Sequence, residues 1–135
     1  MDIYRNEATD CVCLFESGIV GIHFYDNGTQ IVFDIDWQDS YDPLTIVCNF
    51  CRMIDFCFKH EDEMLGELTI TGFSYLKTNE YEYVVQFDFD FTPKGYIRFV
   101  CSDFSFHVPS PPLQEGGNNH RIPWDPVKIE DPLDS

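Results

Sequence analysis

Apolar and polar residues alternate along this chain with a period of two. In Ile31-Val32-Phe33-Asp34-Ile35-Asp36-Trp37, the odd positions Ile31, Phe33, Ile35 and Trp37 share one face, and Asp34 and Asp36 point the other way. In Tyr83 to Phe91, the aromatic and aliphatic residues 83, 85, 87, 89 and 91 oppose Gln86, Asp88 and Asp90. Successive side chains of a strand point to opposite faces, so each segment predicts a strand with one buried face and one acidic row. Asp26-Asn27-Gly28 supplies the positive φ angles of a tight turn, which predicts an antiparallel hairpin of 19–25 with 29–37.

The same reading extends over residues 1–108. A short strand is expected over Cys11–Glu16, broken by Ser17-Gly18. Val20, Ile22 and Phe24 should then share one face of the next strand, with Ile19, Gly21, His23 and Tyr25 on the other. Leu44–Phe50 is expected to bury Leu44, Ile46, Cys48 and Phe50, with a turn or kink over Cys51–Asp55 before Phe56-Cys57-Phe58. Lys59–Met64 reads as a charged loop. Glu67–Tyr75 alternates, with a bulge expected at Gly72, and Lys77–Glu80 reads as a loop. After the turn Thr92-Pro93-Lys94-Gly95, residues 96–108 form an end strand broken near Ser102-Asp103, with Phe104, Phe106 and Val108 toward the core. Seven or eight strands joined mostly by short turns predict an all-β domain, an antiparallel β-sandwich or strongly bent sheet.

Residues 109–135 differ. Six of the eight prolines lie there, with Gly116-Gly117-Asn118-Asn119, which predicts an irregular Pro-rich C-terminal tail to a domain spanning 1–108. Trp124 offers a way to pin that tail onto the body. Composition agrees with strands: thirteen Phe and seven Tyr stand against a single Ala, Ala8. At 135 residues with 44% apolar content, one domain with a real core is expected.

Charge adds the next constraint. There are 24 Asp and Glu against 8 Lys and Arg, a formal charge of −16. The tail holds five acids and two bases, which leaves 19 against 6, or −13, on the body. Such a charge repels nucleic-acid backbones and anionic membranes within a Debye length of about 8–10 Å, so neither is an expected partner. A basic protein would be steered in quickly and in a salt-dependent way. With no apolar run of membrane-spanning length and no signal-like start, a cytoplasmic location is expected.

Candidate chemistry is thin. Cysteines 11, 13, 48, 51, 57 and 101 sit mostly in apolar strand sequence and are expected to be reduced, buried and structural, although Cys11-Val12-Cys13 and Cys48-Asn49-Phe50-Cys51 have the spacing of metal-site fragments. His23, His60, His107 and His120 are scattered, and no nucleophile–His–acid spacing or Gly-rich phosphate loop appears. The acidic rows are the better candidate. Asp34, Asp36, Asp88 and Asp90, with Glu67 and Glu82, would form one cluster if their strands were neighbours, at a cost in mutual repulsion that a basic partner would relieve. The loop acids Asp39, Asp42, Glu61, Asp62 and Glu63 extend that surface, with Trp37 or Tyr41 as an aromatic anchor unless Trp37 is core. The plain alternative is an ordinary solvated face. Carboxylates about 7 Å apart along a strand also suit acid–base catalysis or a Ca²⁺ site, but open strand positions lack the burial that tunes a general acid, so no catalytic residue, cofactor or metal is expected.

The run Ile22–Gly28 leading into Ile31–Trp37, the later Leu44-Thr45-Ile46-Val47 with Ile54-Asp55-Phe56, and Gly95–Phe99 together resemble the small immunity proteins encoded beside polymorphic or contact-dependent growth inhibition toxins of bacteria. The resemblance covers roughly residues 18–108 and rests on strand pattern, with no motif from which site residues carry over. It implies a cytoplasmic, non-enzymatic β-rich inhibitor that blocks the active site of one cognate toxin domain, often a nuclease. A nuclease must be basic where it holds phosphates, so the charge points the same way. The alternative is a small-ligand-binding or enzymatic β-sandwich with an internal pocket lined by aromatics and a cysteine. A third is a calcium-binding module stabilised by its ion.

Overall fold

The computed structural model describes residues 2–59, 67–91 and 93–109. Ten strands make up the described chain: β1 (Asp2–Arg5), β2 (Gly18–Tyr25), β3 (Gln30–Asp36), β4 (Leu44–Asn49), β5 (Arg52–Lys59), β6 (Leu68–Thr69), β7 (Gly72–Asn79), β8 (Glu82–Phe89), β9 (Lys94–Cys101) and β10 (Asp103–Val108). They form two antiparallel sheets. Sheet A has the order β1-β10-β4-β3-β2-β6, and sheet B the order β5-β9-β8-β7. The all-β sandwich expected from the alternation is therefore the fold, with more strands than the seven or eight anticipated because β1 and the two-residue β6 are too short to leave a pattern.

The buried faces are the ones the alternation marks. Phe33 of β3 packs against Phe87 of β8 at 4.9 Å between ring centroids and against Phe99 of β9 at 6.0 Å. Phe73 lies 5.1 Å from Phe87 and 5.3 Å from Phe106, and Phe104 meets both Tyr75 and Tyr83. Offset and edge-on rings in such contacts add about 0.5–1.5 kcal/mol each beyond their burial. Trp37 is core, its indole N–H donating to the Cys13 carbonyl at 2.9 Å.

The hairpin of β2 and β3 forms as predicted, with Asp26, Asn27 and Gly28 all at positive φ. Five local expectations fail for identifiable reasons. Cys11–Glu16 is not a strand. Asn6–Cys11 is a 3-10 turn, and Val12, Cys13 and Leu14 are buried as an irregular plug whose polar groups bond singly, Val12 N–H to Thr9 O and Glu16 N–H to Ile70 O. Ile19 lies on the buried side with Ile22 because a bulge between Ile19 and Gly21 resets the alternation, and Val20 is turned out to solvent. Phe50 is exposed, since φ of +58° at that residue ends β4 at Asn49. Gly72 opens β7, and residues 70–71 carry the chain from one sheet to the other: Ile70 N–H bonds Ser17 O beside sheet A, and Thr71 N–H bonds Asp88 O in sheet B. Residues expected as loop at 77–79 extend β7. The tail beyond Pro109 and the loop acids Glu61, Asp62 and Glu63 lie outside the described residues.

Candidate functional site

Phe33 and Phe87 meet in the core, so the residues that alternate with them face away on opposite sides. Asp34 and Asp36 stand on the outer face of sheet A, and Asp88 on the outer face of sheet B, followed by exposed Asp90. The two strands are not neighbours, and the single four-carboxylate cluster expected from their shared pattern does not form. Both rows do run toward the end of the sandwich where residues 70–71 cross between the sheets.

On sheet A, β2 accommodates the carboxylates of β3 with glycines. Asp34 pairs with Gly21 and Asp36 with Gly18, so on the β2 side neither acid has a side chain directly across from it, while Thr45 of β4 stands opposite Asp34 on the other. A Cβ on Gly21 would lie 2.8 Å from Asp34 Oδ2 and 3.1 Å from His23 Nε2. The space it leaves is where those two groups bond, at 2.7 Å. A Cβ on Gly18 would sit 2.5 Å from Glu67 Oε1, so the Glu67 carboxylate lies over the β2 backbone, on the strand that pairs directly with Asp36. The loop after β3 adds Asp39 and exposed Asp42, whose N–H bonds Ser40 Oγ, beside Tyr41 at 90% exposure. Three expected site residues, Asp34, Asp36 and Glu67, thus share the outer face of sheet A, and two more, Asp39 and Asp42, lie on the loop that leaves β3. No Lys or Arg occurs in β2, β3, β4, β6 or the 37–43 loop.

Sheet B treats its acids differently. Glu82 Oε1 accepts from Arg52 at 2.8 Å and its Oε2 from Thr78 Oγ1 at 2.9 Å. Asp55 accepts from Tyr96 O–H at 3.1 Å, with Arg98 at 3.8 Å. Asp88 accepts from Gln86 Nε2 at 2.7 Å, and Gln86 Oε1 in turn faces Arg98 at 3.5 Å. Partial burial raises the Asp88 carboxyl above the ordinary aspartate range, opposed by the Gln86 bond. At the far end of the sandwich, Tyr83 and Tyr75 donate to Glu7 and Asp10 of the 3-10 turn, each at 2.7 Å.

Of the cysteines, 13, 48, 51 and 101 are buried as expected, whereas Cys11 and Cys57 are exposed; all six are free thiols. Burial drives Cys48 and Cys101 up, while the bond from Cys48 holds the Cys51 thiol below its usual value. The two described histidines stand apart from these thiols, His23 on Asp34 and His107 on Ser105 at 3.1 Å, both on the outer face of sheet A. Among the described residues no group of three or more His, Cys, Asp and Glu converges to hold a metal ion, and no helix is long and apolar enough to cross a membrane. Gly18, Gly21 and His23 are the contributors that the residue pattern did not mark, although the Asn-Gly turn fixes a register from which Gly21 opposite Asp34 follows. No family model, no curated protein and no solved structure matches this chain.

Proposed function

We propose that this protein is a non-enzymatic inhibitor that binds a basic protein partner, a toxin domain of nuclease type, and covers its phosphate-binding groove. The observation that carries the reading is that β2, β3, β4, β6 and the 37–43 loop hold no Lys or Arg, while Asp34, Asp36 and Glu67 stand on that face with His23 as their basic neighbour and Asp39 and Asp42 follow on the loop. Carboxylates spaced along a rigid sheet imitate the regularly placed negative charges of a nucleic-acid backbone. Their field speeds the encounter with a basic groove, and such steering weakens as salt rises. Tyr41, nearly fully exposed beside the acids, is suited to act as the aromatic anchor of the contact. Asp88, Asp90 and Glu82 lie on the other sheet and are secondary to this surface.

The test is co-purification with the product of the adjacent reading frame, followed by stopped-flow association at low and high salt. A complex whose association rate falls steeply with salt, and falls about tenfold or more in the Asp36→Lys/Asp39→Lys double variant, is expected. An unchanged rate in that variant would overturn the reading.

A further inference from the structure

The one place where this acidic body concentrates cations is also its most exposed strand edge. Of the six Lys and Arg in residues 1–108, four lie on β5 and β9 (Arg52, Lys59, Lys94 and Arg98), against a single carboxylate there, Asp55. β5 forms one edge of sheet B, with β9 as its only partner in the sheet, and every residue from Arg52 to Cys57 is exposed. Its inward-facing Phe56 remains 38% exposed and touches Phe24 of β2, itself 49% exposed, so the two sheets part along this side and leave apolar rings open to water. The ladder from Asp55 to Lys59 is regular, following a bulge at Met53 and Ile54.

A long, open edge with apolar residues pairs with another strand unless something prevents it. Outside β5 and β9, residues 1–108 hold 18 Asp and Glu against two Lys and Arg, so β5 is where self-association is least opposed. The edge is also self-complementary. In an antiparallel pairing of β5 with β5 about a twofold axis at Cys57, Asp55 falls opposite the partner's Lys59 and Phe56 opposite the partner's Phe58. Each contact occurs twice, as an isologous interface requires. Asp55, Cys57 and Lys59 share the outward face, and Phe56 and Phe58 the inward one, so charges meet charges and rings meet rings. Across its own sheet Lys59 stands in register with Lys94, so two cations flank the position that the incoming Asp55 takes on that face. A lone Lys on an edge strand is a guard against pairing; in this register the same Lys is attractive.

We infer that β5 is a homodimerisation edge, joining two copies into a continuous eight-stranded sheet through Asp55, Phe56, Cys57, Phe58 and Lys59. The inference stands apart from the inhibitor reading, since the edge shares no residue with the acidic side of sheet A.

The experiment is light scattering on the full chain over a concentration series, with disulfide trapping in a Cys11→Ser background, which leaves Cys57 as the exposed thiol. Directly opposed cysteines have Cα atoms about 4.5–5.5 Å apart, within disulfide reach. Diamide, which takes up two electrons and two protons from the thiol pair, should therefore yield a covalent dimer that Cys57→Ser abolishes. The expected mass is twice the 15.8 kDa of the chain. Lys59→Glu should return the protein to monomer and prevent trapping, and Asp55→Lys/Lys59→Glu, which restores opposite charges across the axis, should recover both. A monomer up to millimolar concentration would overturn the inference. So would a dimer that Lys59→Glu leaves intact, or trapping equally efficient in Lys59→Glu.

Discussion

The outer faces of the two sheets carry similar numbers of carboxylates and handle them in opposite ways. On sheet B each acid within the strands has a partner: Glu82 takes Arg52 and Thr78, Asp55 takes Tyr96 and Arg98, and Asp88 takes Gln86. On the β4-β3-β2-β6 side of sheet A, glycines make the room and a single histidine provides the base. Two segments with the same alternation therefore specify different surfaces, and the difference lies in what stands opposite each acid rather than in the acids themselves. Acids with Lys or Arg on their own sheet keep that sheet soluble and rigid, whereas acids on strands that carry neither lower their energy by meeting a cation from outside.

The glycines make the largest break in this comparison. A Cβ on Gly95, which has φ of +149°, would lie 1.8 Å from the Cys57 carbonyl oxygen on neighbouring β5, and backbone cannot step aside. Gly95→Ala should cost about 3 kcal/mol or more, measured by urea unfolding. Gly18→Ala on sheet A meets only the far end of the Glu67 side chain, so the carboxylate swings away and the cost should stay below about 1 kcal/mol. Equal losses in the two variants would show that the Glu67 carboxylate is as fixed as a strand.

Charge reversal comes next. With a basic partner in hand, Asp36→Lys/Asp39→Lys should lower the association rate about tenfold or more at low salt, while Asp88→Asn/Asp90→Asn should leave it within about twofold. The reverse ranking would move the binding surface to sheet B. Smaller again is the Arg52–Glu82 pair. Both side chains are partly exposed, so Arg52→Ala should cost only about 0.2–1 kcal/mol in thermal unfolding, with the loss shrinking as salt is added.

Period-two alternation made the sandwich legible because it is a property of each strand alone. Phe33, Phe87, Phe104 and Phe106 are buried as their positions require, and the Asn-Gly turn fixes the hairpin that seats Asp34 against Gly21. What alternation cannot encode is which strands are neighbours. β3 and β8 share the pattern of aromatic and Asp residues, yet hydrogen-bonding partners remote in sequence assign them to different sheets, so the acids that looked like one cluster became two. Val12, Cys13 and Leu14 misled in another way. Their apolarity is satisfied by plugging the sandwich, and burial of a short irregular segment leaves the same composition as a strand. The bulge at Val20 and the positive φ at Phe50 are single-residue events that invert a face without any change in residue type.

The smallest expected effect separates the two acidic rows by pH. Burial raises the Asp88 carboxyl above its ordinary value of 3.8, so the folded protein holds that proton more tightly than the unfolded chain. The stabilisation this brings is fully present below the unfolded value and is lost as pH rises through the folded one, because only the native state has to desolvate the charge. Asp88→Asn keeps an oxygen for the Gln86 bond and removes the charge. It should therefore raise the melting temperature at pH 7 by about 2 °C or less, and the gain should vanish near pH 3, where Asp88 is neutral in both states. Glu7 provides the opposite sign: the Tyr83 bond lowers its carboxyl, so its contribution is present above the ordinary glutamate range and lost as pH falls. Glu7→Gln should accordingly lower the melting temperature at pH 7 and converge on the parent in acid. If both variants moved in the same direction at pH 7, partial burial would not be what distinguishes the acid on the sheet B face from the one under the turn.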